Sequence, residues 1–236
     1  MIHDTGRMLP ALTADQMREV DRVMVDELHI GLIQMMENAG RNLADLAQHR
    51  YLPAEVAVLA GPGGNGGGGL VAARHLANRG VQVRVVLASG DPQVPAAKQQ
   101  LDILRRIDVP ITAEPPGHSD VVVDALLGYS LHGNPYGRAA SLIDWANTTS
   151  TPVLSLDTPS GLDVTTGAAA TPCIRADATL TLALPKRGLV GSPQVGQLYL
   201  ADISVPARVY ARFGYTVGHP FATGSVIELD ENGQPR

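Results

Sequence analysis

The segment Ala60-Gly61-Pro62-Gly63-Gly64-Asn65-Gly66-Gly67-Gly68-Gly69-Leu70 holds seven glycines among the nine residues from Gly61 to Gly69. An apolar run, Val56-Ala57-Val58-Leu59-Ala60, enters it, and a helical pattern, Leu70-Val71-Ala72-Ala73-Arg74-His75-Leu76, leaves it. A strand, a glycine turn and a helix in that order bring backbone N–H groups and a helix N-terminus against an anionic ligand. Glycine suits such a turn because it reaches positive φ cheaply and lets a ligand approach the backbone. It also costs unfolded-chain entropy, so a run this dense requires a reason. A flexible surface loop is the plain alternative, and the strong patterning of both flanks argues against it.

Upstream, residues 1–11 read as a loose lead-in. Thr13-Ala14-Asp15-Gln16 has the form of a capping box, with Thr13 as N-cap and Gln16 at the third helical position. Met17, Val20, Met24 and Leu28 follow at helical spacing, which predicts a helix over 13–28. After Gly31 a second helical pattern runs through Leu32, Met35, Met36, Ala39, Leu43 and Leu46, its methionines read as core filler. Downstream, strands and helices alternate. Strands are expected at 56–60, 81–87, 121–123, 153–156, 178–183 and 198–201, and a short one at 225–229 in the polar tail 218–236. Helices are expected from the glycine turn to Gly80, which suits the residue after a C-cap, over 95–107 with Pro95 in the first turn, and through 139–146. This alternation predicts an α/β fold with a mostly parallel sheet covered on both faces. No repeat or linker divides the chain, so residues 1–236 are expected to form one domain.

Composition bounds the function. Apolar residues make up 44% and charged ones 17%, as in a globular protein, and the net charge of −5 argues against a nucleic-acid or anionic-membrane binder. The single cysteine, Cys173, cannot close an internal disulfide, which fits a reducing cytoplasm. Met1 to Pro10 has no apolar signal-peptide core, and no apolar run approaches the roughly 18 residues of a membrane span.

In an open parallel sheet, ligands bind beyond the carboxyl ends of the strands, where strand order reverses. Three features fall at such ends: the glycine turn after Ala60, Asp124 after Val121-Val122-Val123, and Asp157 after Val153-Leu154-Ser155-Leu156. Either aspartate also suits a helix cap or an Asx-turn, and Thr158-Pro159-Ser160-Gly161 is itself a turn signature. Asp163 reads as a turn former, and His132 as a solvated loop residue. Lys186 and Arg187 read as a solvated basic turn, with a phosphate contact as the functional alternative. The histidines lack metal-ligand spacing and there is no C-x-x-C, so a zinc site is not expected. The glycine run ends Gly68-Gly69-Leu70 without the Gly-Lys-Ser/Thr of a P-loop, which excludes that ATP site. Gly61-Pro62-Gly63-Gly64-Asn65-Gly66 satisfies G-x-G-x-x-G, but the second strand ends Leu87-Ala88-Ser89-Gly90 without the ribose-binding acid expected about 20 residues on. A dehydrogenase is therefore disfavoured, while a nucleotide-shaped ligand is retained.

At these residues the chain resembles the YjeF N-terminal domain family, whose enzymatic members are NAD(P)H-hydrate epimerases. Leu12–Arg18 and Met36–Arg41 resemble the paired opening helices, and Gly61–Leu70 resembles the loop G-x-G-N-N-G-G-D-G-L. Asp124–Gly128 resembles D-A-[LI]-[LF]-G, Leu156–Asp163 resembles V-D-[IT]-P-S-G-L-D, and Ala176–Leu189 with Tyr199–Ile203 resemble the late strands. The resemblance implies a Rossmann-like three-layer α/β/α sandwich with two N-terminal helices, often a homodimer.

It further implies epimerisation at C6 of hydrated NADH or NADPH, with a separate NAD(P)H-hydrate dehydratase as pathway partner. A potassium ion would be held by Asn65, Asp124 and Ser160, a donor set suited to a hard cation. Substrate would be held by Gly64, Asn65, Gly66, Gly67 and Gly68, by Gly128, Tyr129, Ser130, Leu131, His132, Gly133 and Asn134, and by Asp157. Asp157 would also be the catalytic proton carrier. Two positions depart from the pattern: Gly64 replaces an asparagine and Gly68 an aspartate. The second change is expected to affect ligand binding more than folding. Such changes leave room for a non-catalytic nucleotide-binding module of the same fold.

Overall fold

The computed structural model describes residues 8–131 and 133–236. His132 and the first seven residues, including most of the expected lead-in, lie outside the described residues. Strand β1 (Glu55–Ala60) lies between β2 (Gln82–Leu87) and β4 (Val121–Ala125), parallel to both. The sheet continues on one side to β3 (Ile111–Thr112) and on the other to β5 (Val153–Leu156), β6 (Ala178–Leu182), β7 (Gln197–Ala201) and β8 (Val226–Glu228). All eight strands form one sheet in the order β3-β2-β1-β4-β5-β6-β7-β8, and only β8 runs antiparallel to its neighbour. The order reverses direction between β1 and β4, which makes that crevice the switch point.

The apolar runs form interior strands because both of their faces are covered. In β1, Val56, Val58 and Ala60 pack with α2 (Leu32–Tyr51), α3 (Gly64–Asn78) and α4 (Pro95–Arg106), through residues such as Leu43, Leu70 and Leu101. The alternate residues Ala57 and Leu59 pack with Leu142, Ile143 and Ala146 of α5 (Gly137–Thr148) on the other face. This is the three-layer α/β/α sandwich. A further cluster joins α1 (Ala14–Arg22) to β7 and the C-terminal α6 (Ala207–Tyr210), through Met17, Val20, Leu198, Leu200 and Val209.

The capping box at Thr13 is formed, since Gln16 N–H donates to Thr13 Oγ1 and Thr13 N–H to Gln16 Oε1. The helix is not continuous to Leu28, however. It passes at Val23 into a five-residue π-helical turn, Val23–Glu27, in which Leu28 N–H donates to Val23 C=O at 3.0 Å. Met17, Val20, Val23 and Met24 are all buried, so apolar spacing alone cannot reveal the change of winding.

The glycine run is corrected more deeply. Helix α3 begins at Gly64, so most of the expected turn is helix, and no residue from Gly61 to Gly69 has positive φ. Helical glycine costs roughly 1 kcal/mol each relative to alanine, so packing must require it. A Cβ on Gly66 would lie 1.9 Å from Gly61 C=O, one on Gly67 2.5 Å from Met36 Cε, and one on Gly69 2.5 Å from Ala125 Cβ. On α2, a Cβ at Gly40 would lie 2.4 Å from Val71 Cβ, so helices α2 and α3 meet nearly backbone to backbone. Close approach, not turn geometry, accounts for Gly61, Gly66, Gly67, Gly68 and Gly69, while Gly63 and Gly64 border open space.

The first described residues are tied to the tail. Leu9 is buried and its N–H donates to Gln234 Oε1 at 2.6 Å, so the last part of the lead-in is docked on the tail rather than loose. No helix among the described residues is long and apolar enough to cross a membrane.

Candidate functional site

A cavity of about 470 Å³ opens over the carboxyl ends of β1, β4 and β5. Its walls come from α1 (Met17, Asp21), α2 (Leu32, Met35, Met36, Ala39), the start of α3 (Gly63, Gly64, Asn65, Gly68), the segment after β4 and the end of β5. The volume suits a small-molecule site. Gly63 is the N-cap of α3 and supplies no side-chain cap. Among the described residues, the N–H groups of Gly64, Asn65 and Gly66 have no backbone or side-chain acceptor. Gly64 and Asn65, with their free N–H groups, and the positive end of the helix dipole thus lie at the cavity, an arrangement that favours an anion.

Beneath the cavity, Asp124 pairs in register with Leu59 of β1 and Ser155 of β5, and is fully buried. Its carboxylate accepts four hydrogen bonds from neutral donors. Oδ1 takes Ser160 Oγ–H at 2.6 Å and Leu126 N–H at 3.2 Å; Oδ2 takes Ser155 Oγ–H at 2.8 Å and Ser160 N–H at 2.9 Å. Burial pushes the carboxyl above its ordinary value despite those bonds. Asn65 Nδ2–H donates to Leu127 C=O at 3.1 Å, and Leu127 N–H donates to Ser160 Oγ at 2.9 Å. Asn65, Asp124 and Ser160 therefore converge through one short segment. Among the described residues no group of three or more His, Cys, Asp or Glu could hold a metal, whereas this cluster offers carboxylate, amide and hydroxyl oxygens. The nearby Cys173 thiol is pushed up to about 12 by burial first and the Asp124 charge second, and so is not a nucleophile near neutrality.

Asp157 is held differently. It follows β5 with φ of 66°, a left-handed conformation uncommon for a side-chain-bearing residue, and its N–H donates to Leu180 C=O at 2.7 Å. Its Oδ1 accepts from Lys186 Nζ at 2.5 Å. Lys186 is completely buried and its remaining N–H groups go to Leu182 C=O at 2.7 Å and Thr181 Oγ1 at 3.0 Å. Lys186 is thus neither a solvated turn residue nor a phosphate contact. It is the internal counter-ion of Asp157, and with all three donors committed it fixes one carboxylate oxygen. Among the described residues the other oxygen receives no hydrogen bond, and the residue lines the cavity.

Of the residues expected at a substrate site, Gly64, Asn65, Gly68, Gly128, Tyr129, Ser130, Leu131 and Asp157 line the cavity. Gly66 and Gly67 face the protein interior instead. Gly133 and Asn134 lie outside the cavity wall, and Asn134 Oδ1 accepts from Thr171 N–H at 3.1 Å. Asp163 is a turn former, accepting from the N–H groups of Thr165 and Thr166. The expected methionines divide: Met24 is core alone, whereas the buried Met17, Met35 and Met36 also form cavity wall. Sequence reasoning missed Asp21. It sits on α1, lines the cavity and accepts from Tyr129 Oη–H at 2.5 Å through Oδ2. Its one signal was an acid at the fourth position after Met17 on a predicted helix, on the face that turns out to meet the cavity. At Gly68, a Cβ would lie 2.7 Å from Leu156 Cδ2, so leucine already fills the space of the missing side chain. At Gly64 a Cβ would meet nothing within 4 Å.

An α/β sandwich with a helix N-terminus at the switch point and two buried aspartates on the adjoining strands has the nucleotide-binding fold of Rossmann-like class. Residues 32–188 match the family described as YjeF-related protein N-terminus. The chain is 43% identical to the NAD(P)H-hydrate epimerase of Dehalogenimonas lykanthroporepellens, over 97% of this chain and 96% of that protein. It is 36% identical to the bifunctional NAD(P)H-hydrate repair enzyme Nnr of Salinibacter ruber, over 86% of this chain but only 42% of that protein. The crystal structure of yeast ynu0, YNL200c, superposes with a TM-score of 0.80 at 25% identity, covering 94% of this chain and all of that one. The chain belongs to the YjeF N-terminal family.

Proposed function

We propose that this protein interconverts the R and S forms of NADH or NADPH hydrated at C6 of the nicotinamide ring, leaving the S form to a separate dehydratase. The observation that carries the reading is the ion-paired Asp157 in the wall of a cavity that also receives the uncapped start of α3. It is supported by similarity, over nearly the whole of both chains, to a protein named NAD(P)H-hydrate epimerase. The free N–H groups of α3 suit the pyrophosphate, and the apolar wall of Met35, Met36 and Leu156 suits a ring. Lone-pair donation from the ring nitrogen expels the C6 hydroxyl and leaves a planar iminium that water re-enters from the other face. Asp157 moves a proton to or from the C6 oxygen, with Lys186 holding the carboxylate in place.

The donor set of Asn65, Asp124 and Ser160 fits a potassium ion, because a buried carboxylate with only neutral partners gains most from a cation. Bound there, the ion would supply charge neutralisation and tie together the segments after β1, β4 and β5. A cytoplasmic homodimer accompanies this reading. A non-catalytic nucleotide-binding module is the second reading, favoured by the Leu156 side chain that fills the space beside Gly68. The deciding experiment supplies the purified R hydrate together with an S-specific dehydratase. The epimerase reading expects conversion of the whole R pool, and binding without turnover would establish the module.

A further inference from the structure

We infer that Asp21 is a second proton-transferring carboxyl of this cavity, acting on the C6 oxygen from the α1 wall while Asp157 acts from the strand rim. The inference rests on the epimerase reading above and deepens it. Epimerisation by departure and return of a hydroxyl makes two demands. A proton must be given on the face the oxygen leaves, and one must be taken on the face where water re-enters. Asp157 cannot serve both faces of a ring held in one orientation, because Lys186 and the Asp157 N–H bond to Leu180 fix it to one wall. Asp21 lines the same cavity from a different element, helix α1, close enough for the charge of Asp157 to act on it. Among the described residues it makes no salt bridge and its Oδ1 receives no hydrogen bond, although Arg18 and Arg22 on the same helix pair outward with Asp15, Glu19 and Glu27.

The two carboxyls differ in their partners: Asp157 is paired with the Lys186 ammonium, whereas Asp21 accepts from the neutral Tyr129 hydroxyl. Burial raises Asp21 above its ordinary value, the Tyr129 hydrogen bond opposes this, and the charge of Asp157 adds to it. The charged or titratable groups facing Asp21 are Tyr129 from the segment after β4, Asp157 after β5, Lys186 after β6 and Tyr210 of α6. In the R-to-S direction, which the coupled assay reads, the Asp21 carboxyl gives its proton to the departing hydroxyl. The C6–O bond breaks with its electron pair going to oxygen, the nitrogen lone pair forms the C=N bond, and water leaves. A second water then adds its oxygen to C6 from the other face, the C=N pair returns to nitrogen, and the released proton goes to the Asp157 carboxylate. The opposite direction exchanges the two roles, and the proton passes back through cavity water between turnovers.

The test compares wild type, Asp21→Asn and Tyr129→Phe in the coupled R-hydrate assay across pH, with thermal melting as the check on folding. Asn retains the shape of Asp21 and an acceptor for Tyr129, so the fold should persist. The expected result is a fall in kcat of about 100-fold or more with KM nearly unchanged, and loss of the limb on which kcat declines as pH rises. Tyr129→Phe should keep that limb and move it to higher pH, because removing the hydroxyl removes a bond that favours the ionised carboxyl. Wild-type turnover with an Asp21→Asn enzyme of unchanged kcat and pH profile overturns this assignment alone. So does a loss confined to KM, which marks Asp21 as a latch for the Tyr129 segment. Should Asp21→Asn fail to fold, an unmoved limb in Tyr129→Phe overturns it. A wild type that never converts the R hydrate overturns the epimerase reading and this inference with it.

Discussion

Asp124 lies in β4 and Asp157 directly follows its parallel neighbour β5, both removed from water, and the protein treats their charges in opposite ways. Asp157 carries its own cation, Lys186, at 2.5 Å. Asp124 has four neutral hydrogen-bond donors and no cation within the described residues. A covalently attached counter-ion is always present, so Asp157 is held in one place whatever the medium. A carboxylate without one is stabilised when a mobile cation arrives, so under the potassium proposal the segments around Asp124 should respond to ions.

The comparison breaks most readily at Lys186. Lys186→Met should cost about 3–5 kcal/mol, because it strands a buried carboxylate. Urea unfolding measures it, and the double variant Lys186→Met/Asp157→Leu should recover most of the loss while remaining inactive. An unchanged stability in the single variant would show that Lys186 does not neutralise Asp157. Next, Asp157→Asn should lower kcat by at least roughly 100-fold in the coupled assay, and near-normal turnover would remove its proton-transfer role.

At Asp124 the expected effect comes from the medium. Replacing tetramethylammonium chloride by potassium chloride at equal ionic strength should raise stability, by about 2.7 kcal/mol where potassium is at a hundred times its Kd. Thermal melting in the two salts reads this increment, which should vanish in Asp124→Asn; an identical increment in that variant would place the cation elsewhere. The smaller effects lie in the adjoining helix. Gly68→Asp should cost roughly 1–3 kcal/mol, since its Cβ overlaps Leu156, and a companion Leu156→Val should relieve it. Gly64→Asn meets open space and should change stability by less than about 0.5 kcal/mol. Parallel denaturant curves for the two variants should separate clearly.

Much of this was legible in the residues themselves. Val56–Ala60 and Val121–Val123 announce interior parallel strands because a sheet covered on both faces demands unbroken apolar runs. The Thr13–Gln16 capping box and Gly80 after α3 mark helix ends through local hydrogen bonding and local φ. The two-residue β3 was not expected, since Ile111-Thr112 is too short to carry a period. The partners of Asp157 and Asp21 were hidden for another reason. Lys186 lies 29 residues beyond Asp157 and Tyr129 lies 108 beyond Asp21, so neither contact leaves a trace in local pattern.

The chain by itself therefore determined its class, its strand-end aspartates and the importance of the glycine run, because hydrophobic period, capping and glycine density are local properties. Tertiary structure alone decided what those features are for. It turned the glycine run into the closely packed, uncapped start of a helix, because neighbouring backbones and side chains leave no room for a Cβ at most of its positions. It also gave Asp157 a buried lysine and, among the described residues, gave Asp124 only neutral donors, because the charge state of a buried group depends on what the fold brings beside it.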